Sequence, residues 1–468
     1  MVLRLRTRTG VASGGRKGTV PFSLRENWDS PQVSGVQKGT VPFSLRENWD
    51  SPRMVVRLAV LCGAVSVTVA SLSARANDWP GWRGPARDAI CRENDLLQEW
   101  PPGGPPLVWT TNRIGEGYSG PAVVDDMLYT MGNGNGKEWV VAIDVNQHGR
   151  QAWASATGPI RHLGEGHPGP RSTPAIDGTR LYTLGINGDL VCMSTEDGSI
   201  LWHHNLVNDF GGYVPKWGYS ESVLIDGGWV ICTPGGRQAT ILALQKTTGK
   251  VAWASPIGDA AAYSSIIKVT INKVKQYVAF TAKGLVGVHA ADGRFLWRYD
   301  KPANGMAVIA TPVWYGQTVF GSAGYGSGGG LVWIRPTPMG FFAQEVYFTK
   351  NMQNHHGGVI RLGDYLYGCS DPGILRCLNY RTGEVLWQDR STGTCSLLCA
   401  DGRLYCRDEK GPISLVEVNP REFVLKGRFN QPYRSNRNAW PHLVIADGMM
   451  YVRDQNMLLC YDVRAHRR

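Results

Sequence analysis

One pattern constrains this 468-residue chain more than any other: a turn glycine followed four residues later by tryptophan. It occurs five times, as Gly149 to Trp153, Gly198 to Trp202, Gly249 to Trp253, Gly293 to Trp297 and Gly383 to Trp387. Each glycine follows His, Asp or Thr, and the copies come after β-rich runs such as VVAIDV, LVCMST and ILALQK. Trp109 ends a further strand-like run, PPLVW, and the intervals from it onward are 44, 49, 51, 44 and 90 residues. The last interval spans two units, so one copy between Trp297 and Trp387 has lost its tryptophan. Self-similarity at this period marks an array of like units rather than a mosaic of unrelated domains.

Each unit also has an upstream half of strand, turn and strand: STPAIDGTRLYTLG (172–185), ESVLIDGGWVICTPG (221–235), GGVIRLGDYLYGCS (357–370), SLLCADGRLYCRD (396–408) and PHLVIADGMMYVRD (441–454). Asp-Gly between alternating apolar residues signals a tight hairpin, because both central residues need positive φ. Four strands per unit of 40 to 50 residues predicts an all-β fold, a β-propeller of four-stranded antiparallel blades. First strands near Ser119, Ser172, Ser220, Ser264, Thr311, His356, Ser396 and Pro441 count eight blades. The last blade, ending in LLCYDV (458–463), lacks an outer strand, while LVWTT (107–111) is a strand without a blade. Pairing the two closes the ring and removes an exposed sheet edge. The repeated tryptophans are expected to pack between neighbouring blades, and the glycine-rich GYGSGGG (324–330) reads as a loop within blade five.

Outside the repeat, residues 1–53 carry KGTVPFSLRENWDSP twice, at 17–31 and 38–52, identical over fifteen residues. Such identity reads as a recent duplication upstream of the true start, in a leader with no core-forming periodicity. Met54 begins a better N-terminus: Arg57, an apolar run at 58–72 and Ala74-Arg75-Ala76 compose a secretory signal peptide, cleaved near Ala76. The expected organisation is therefore leader 1–53, signal peptide 54–76, N-terminal arm 77–106 and propeller 107–468, in a secreted or periplasmic monomer with no transmembrane segment after cleavage. Charge supports this division. The formal net charge is +11, of which residues 1–53 hold +5 and 54–76 hold +2, so the mature part is only mildly basic and no nucleic-acid partner is expected. Nine cysteines remain after Ala76, with no C-x-x-C and no adjacent pair, mostly inside strand-like runs where Cys acts as a small buried hydrophobe.

The segments joining one blade's outer strand to the next blade's inner strand lie on one face of a propeller, around its axis. Here they are rich in polar and aromatic groups. They supply the candidate ligand-binding residues Glu116, Tyr118, His167, Arg171, Trp217, Tyr219, Glu221, Tyr263, Asn354, His355, His356, Trp440 and His442. Carboxylates, imidazoles, a guanidinium and flat rings aimed at one axis suit a planar or sugar-like ligand better than a phosphate. The tyrosines serve equally well as blade-to-blade hydrogen-bonding groups, whereas Glu221 and His355 are expected to meet a ligand. Trp217, Tyr219 and Trp440, read as exposed, also suggest glycan binding. His355 and His356 could share a metal only on an irregular backbone, which Gly357-Gly358 permits. A hydrogen-bonded loop is the preferred reading, and no metal ligand or catalytic residue is assigned.

The blade form GPAVVDDMLYTMG (120–132) with VVAIDVNQHGRQAW (140–153) resembles the PQQ-like repeat of quinoprotein dehydrogenases and of the BamB assembly lipoproteins. DWPGWRGPARD (78–88) is similar to the opening of many secreted propellers of this kind. The resemblance covers about residues 78–463 and implies an eight-bladed ring. It specifies chemistry poorly, since one fold hosts many functions. Quinoprotein alcohol dehydrogenases typically carry a vicinal Cys-Cys pair, electron-accepting members often add a C-x-x-C-H haem motif, and BamB carries a lipobox; this chain has none of these. The expected function is a binding or protein-interaction scaffold with a small-molecule, glycan or protein partner on the loop-rich face. The alternative is an oxidoreductase using PQQ and Ca²⁺ on an alcohol or sugar.

Overall fold

The computed structural model describes residues 77–162, 167–338 and 340–465. The expected leader and signal peptide, and part of the GEGHPGPRS segment, lie outside these residues. Among the described residues there is no α-helix, and no helix long and apolar enough to cross a membrane. The chain forms an eight-bladed β-propeller, with blades at 122–159, 175–205, 224–255, 267–299, 313–349, 354–389, 395–429 and 444–462. Blades are numbered 1 to 8 in that order. The eighth blade is completed by Leu107–Thr111, which runs antiparallel to Met457–Asp462 with Leu107 opposite Tyr461 and Thr111 opposite Leu458. The predicted closure is thus the observed one.

The turns follow from backbone chemistry. Inner hairpins turn at Gly178, Gly227, Gly316, Gly363, Asp401-Gly402 and Asp447-Gly448, all with positive φ, as tight hairpins demand. The outer Gly–Trp motif has a second reason for glycine. Each turn glycine lies on the aromatic ring of the preceding blade: a Cβ would fall 2.7 Å from Trp109 at Gly149, 2.5 Å from Trp153 at Gly198 and 2.3 Å from Trp253 at Gly293. The indole N–H often reaches onward to a carbonyl of the next blade, Trp153 to Thr195, Trp202 to Lys246 and Trp387 to Asn419. Burying such a ring contributes about 4 kcal/mol at ~25 cal/mol/Å².

Blade 5 supplies the missing copy. Tyr347 takes the place of tryptophan, lies beneath Gly383, and donates its hydroxyl to Tyr380 O at 3.0 Å. Its outer hairpin is also long, Gly328–Thr337 with Gly340–Thr349. Only the first part of GYGSGGG is a turn, and Gly328–Gly330 belong to a strand. The expectation of a loop fails there because Phe320 and the Tyr299 hydroxyl lie against Gly329 and Gly330, within 2.5 Å of where a Cβ would stand. All nine cysteines of the described residues are buried and free.

Candidate functional site

The N-terminal arm fills the axis of the ring. Trp79 bridges Val123 of blade 1, and Pro80 O accepts the Ile176 N–H of blade 2 at 2.8 Å. The Arg87 guanidinium donates to Ser222 O and Val223 O beside blade 3 and to Ile266 O beside blade 4, at 2.5, 3.1 and 2.7 Å. Trp82 Nε1 donates to Thr311 Oγ1 at blade 5, and Arg83 donates to Val359 O of blade 6 at 2.7 Å. Ile90–Cys91 adds a short parallel strand to blade 7, and the Trp82 ring lies 4.6 Å from His442 at blade 8. One segment of thirteen residues, 79–91, therefore touches the inside of all eight blades. Arg83, Arg87 and Ala89 adopt φ of 60, 56 and 60°, a strained conformation for non-glycine residues that the surrounding hydrogen bonds hold in place. The arm then passes under blades 7 and 8, where Trp100 meets Tyr405 and Phe429 edge-on, and emerges as the closing strand.

Above the arm, the loop-rich mouth is capped by Trp440. Its ring centroid lies 4.9 Å from Tyr118, 4.8 Å from His167 and 5.9 Å from His356, and its Nε1 donates to Glu409 Oε2 at 3.2 Å. Tyr118 OH and His167 Nδ1 share a hydrogen bond of 3.3 Å. The Arg171 guanidinium sits 5.7 Å over the Tyr118 ring, donates to His167 O and Gly169 O, and lies in electrostatic reach of Tyr263 and Glu138. Five nominated residues thus meet: Tyr118, His167, Arg171, His356 and Trp440. Trp217 and Tyr263 form a separate pair, with Tyr263 OH accepting the Trp217 backbone N–H at 3.3 Å and the Lys216 ammonium 4.6 Å over the indole.

The other candidates serve different ends. Tyr219 is 1% exposed, with its hydroxyl donated to Pro234 O and its ring over Gly188 and Gly212, so its exposure was misread: it is a core residue and presents no ring to a sugar. Asn354 is buried and braces the Asn354–Gly358 bulge, donating to Gly358 O and Cys369 O while accepting the Gly358 N–H. That bulge is the irregular backbone expected at the two histidines; their rings stay 5.5 Å apart, edge to face, but take different partners. His355 Nε2 reaches Tyr325 OH at 3.0 Å, while His356 turns to Trp440. Gly357 and Gly358 are glycines for close approach, since a Cβ would meet Cys395 O in one case and the Arg83 guanidinium in the other. Among the described residues no three His, Cys, Asp or Glu side chains gather in a metal-binding arrangement. Glu116 is exposed at the rim.

Burial lowers the axial Arg83 and Arg87 guanidiniums to about 10, so both stay cationic at neutral pH beside two neutral histidines. Burial, with the neighbouring His355 and His442, pushes the His356 imidazole down to about 3, and burial beside Arg83 pushes His442 down to about 3. Both are neutral at physiological pH. Burial raises Glu221 to about 7, yet its oxygens already accept the Thr233 N–H at 2.7 Å and the Thr233 hydroxyl at 3.2 Å. The contacts at the mouth offer ring faces and hydrogen-bonding groups. Sequence reasoning missed Trp82, Arg83 and Arg87 as axial residues. The available signal was DWPGWRGPARD itself, whose tryptophans and arginines follow neither strand nor helix period.

A family profile described as outer membrane protein assembly factor BamB matches residues 136–389, more than half of the chain. This chain belongs to the BamB family. BamB of Yersinia pestis is 22% identical over 268 residues, which make up 54% of this chain and 63% of that protein, so the match spans less than two thirds of the relative's length. The crystal structure of BamB from Moraxella catarrhalis aligns with a TM-score of 0.57 at 15% identity, covering 77% of this chain and 98% of that one. The quinohemoprotein alcohol dehydrogenase of Comamonas testosteroni aligns with a TM-score of 0.58 at 12% identity, covering 84% and 82%. At such identities the two structures establish the shared propeller fold alone.

Proposed function

We propose that this member of the BamB family is an exported interaction scaffold that holds a protein partner on its loop-rich face. The observation that carries the reading is the filled axis. Where Trp79, Trp82, Arg83 and His442 meet, the remaining cavity is about 10 Å³, room for one water. With the arm lying across the axis, this reading assigns the partner to the outer parts of the loop face. Signal-peptide cleavage near Ala76 fits the same picture: it would place Asn77 immediately before the axial plug.

The oxidoreductase alternative requires PQQ and Ca²⁺, and the axial residues do not fit them. Pockets for molecules of drug size measure roughly 300–1,000 Å³, whereas the arm occupies this one. Calcium takes six to eight oxygen ligands, and the oxygens of the buried Glu221 already accept from Thr233.

In-cell photo-crosslinking tests the scaffold reading. A photoreactive amino acid at Tyr213 or Met306, 71% and 51% exposed in segments of the loop-rich face, should give discrete adducts. The same group at Lys273 or Thr382, in hairpin turns of the opposite face, should give none. Stoichiometric PQQ binding with dye reduction over an alcohol panel, or no adduct from either face, would overturn the reading.

A further inference from the structure

Five of the nine free cysteines face one another between blades 6 and 7. Cys369 and Cys377 come from blade 6, and Cys395, Cys399 and Cys406 from blade 7, all within one apolar cluster. The strand period explains the gathering. Cys377 stands opposite Tyr367, two residues before Cys369, and Cys406 stands opposite Leu397, midway between Cys395 and Cys399, so each blade turns its sulfurs to a single face.

Two of the five meet across the interface. The Cys395 backbone N–H donates to Cys369 Sγ at 3.2 Å, across 26 residues of chain, and the two thiols share a side-chain hydrogen bond. Cys369 Sγ also donates to Gly393 O at 3.1 Å, while Gly357 of blade 6 lies so close to Cys395 O that no Cβ would fit between them. Backbone from both blades therefore holds these sulfurs together. Cys406 is the competing partner, since its thiol also lies against Cys395. The two are diagonal neighbours on adjacent antiparallel strands, however, with Cys395 opposite Asp408 and Cys406 opposite Leu397. Such neighbours stand roughly 7–8 Å apart, more than the about 4.4–6.8 Å between Cα atoms that a disulfide spans.

We infer that Cys369 and Cys395 are a redox pair that closes into a disulfide between blades 6 and 7 when the chain folds in contact with a disulfide-bearing oxidant. One cysteine thiolate attacks the oxidant's disulfide, which forms a mixed disulfide and releases one thiol; the second thiolate then attacks the protein sulfur of that bond and releases the other. Two S–H bonds are lost and one S–S bond forms. Both protons end on the released thiols, and the oxidant takes both electrons. Burial sets the timing. Cys369 and Cys395 are 4% and 1% exposed, and the hydrogen bond to Cys395, together with burial, pushes the Cys369 thiol well above its ordinary value. The finished ring holds little thiolate for an oxidant to reach, so closure belongs to folding, before blade 7 packs on blade 6. Inside a cell it rests on the export that the scaffold reading includes, because the cytosol keeps such pairs reduced.

Oxidative refolding tests the pair. The reduced full-length chain, unfolded in urea, is returned to buffer containing glutathione and glutathione disulfide, trapped with an alkylating reagent and mapped by mass spectrometry without reduction. The expected product is a pair of peptides joined through Cys369 and Cys395, lighter by two hydrogens than its free parts. A bridge across 26 residues should raise the melting temperature of the oxidised protein by about 3–5 °C over the reduced form. Cys369→Ser should abolish both the joined peptides and this gap, with Cys369→Ala in its place should the buried hydroxyl disturb folding, whereas Cys406→Ser should keep both. The gap is taken within each variant, so a general loss of packing does not imitate it. Free thiols at both positions after oxidative refolding, a bridge from Cys395 to Cys406 instead, or an unchanged gap in Cys369→Ser would overturn the inference. The two readings fail separately: no link on refolding removes the pair and leaves adducts from Tyr213 or Met306 standing, while a link that forms on refolding but is missing from protein recovered from cells removes the export and leaves the pair.

Discussion

Replacing Arg87 with alanine withdraws the guanidinium that ties the N-terminal arm to blades 3 and 4. Three buried carbonyls, Ser222 O, Val223 O and Ile266 O, lose their donor together. Hydrogen bonds to a charged group contribute about 1.5–3 kcal/mol each, but water entering the vacated space recovers part of the loss, so the expected destabilisation is about 3–5 kcal/mol. The unfolding entropy of a ring of roughly 390 residues is about 0.8 kcal/mol/K, which converts this to a fall of about 4–6 °C in melting temperature. Differential scanning calorimetry at pH 7 reads the shift directly. Arg92→Ala is the control: its side chain is 57% exposed and pairs with Asp88 on the surface, so a change below about 1 kcal/mol is expected. A shift under 1 °C for Arg87→Ala, or equal shifts for the two variants, would refute the placement of the arm inside the ring.

Gly293→Ala should cost about 2–4 kcal/mol in urea denaturation, because φ is 72° and the new Cβ would lie 2.3 Å from the Trp253 ring; Gly305→Ala, with open space around it, should be close to neutral. Tyr347→Trp should keep stability within about 1.5 kcal/mol, since the site already does the work of a tryptophan, whereas Tyr347→Ala should lose about 3–5 kcal/mol. Burial raises Glu138 from 4.5 to about 7, so its contribution to stability is complete below about pH 4.5 and is lost as pH rises through 7. Glu138→Gln should therefore gain on the parent between pH 5 and 8 in urea midpoints, and a constant difference would refute this. The depressed His442 acts with opposite sign: its contribution is complete above pH 6.5 and is lost as pH falls toward 3. His442→Phe should accordingly flatten acid-induced unfolding followed by tryptophan fluorescence.

The blade count, the closing strand and the inter-blade tryptophans were legible because each rests on local, repeating chemistry: positive-φ turns, alternating apolar residues and a ring at a fixed offset. Tyr347 was legible only as a gap, since a phenol replaces an indole without any sequence spacing to announce it. The arm was not legible as a plug. Its contacts join residues 79–91 to partners as far away as His442, and no periodicity encodes pairing at such separations. Tyr219 shows the converse problem. The same connecting segment carries Trp217, which is partly exposed, and Tyr219, which is buried, and only the path of the backbone over Gly218 separates their fates.

The plug and the closing strand are consecutive in the chain, and this orders assembly. Leu107 finds its partner at Tyr461, some 350 residues later, so this strand can complete its sheet only after the eighth blade has been made. Until then blade 8 has an open side and the arm has no finished ring around it. Long-range pairing of this kind makes folding slow. The joint between Leu107–Thr111 and Met457–Asp462 is also the one that seals the plug inside, so closing the ring and fixing the arm are one event.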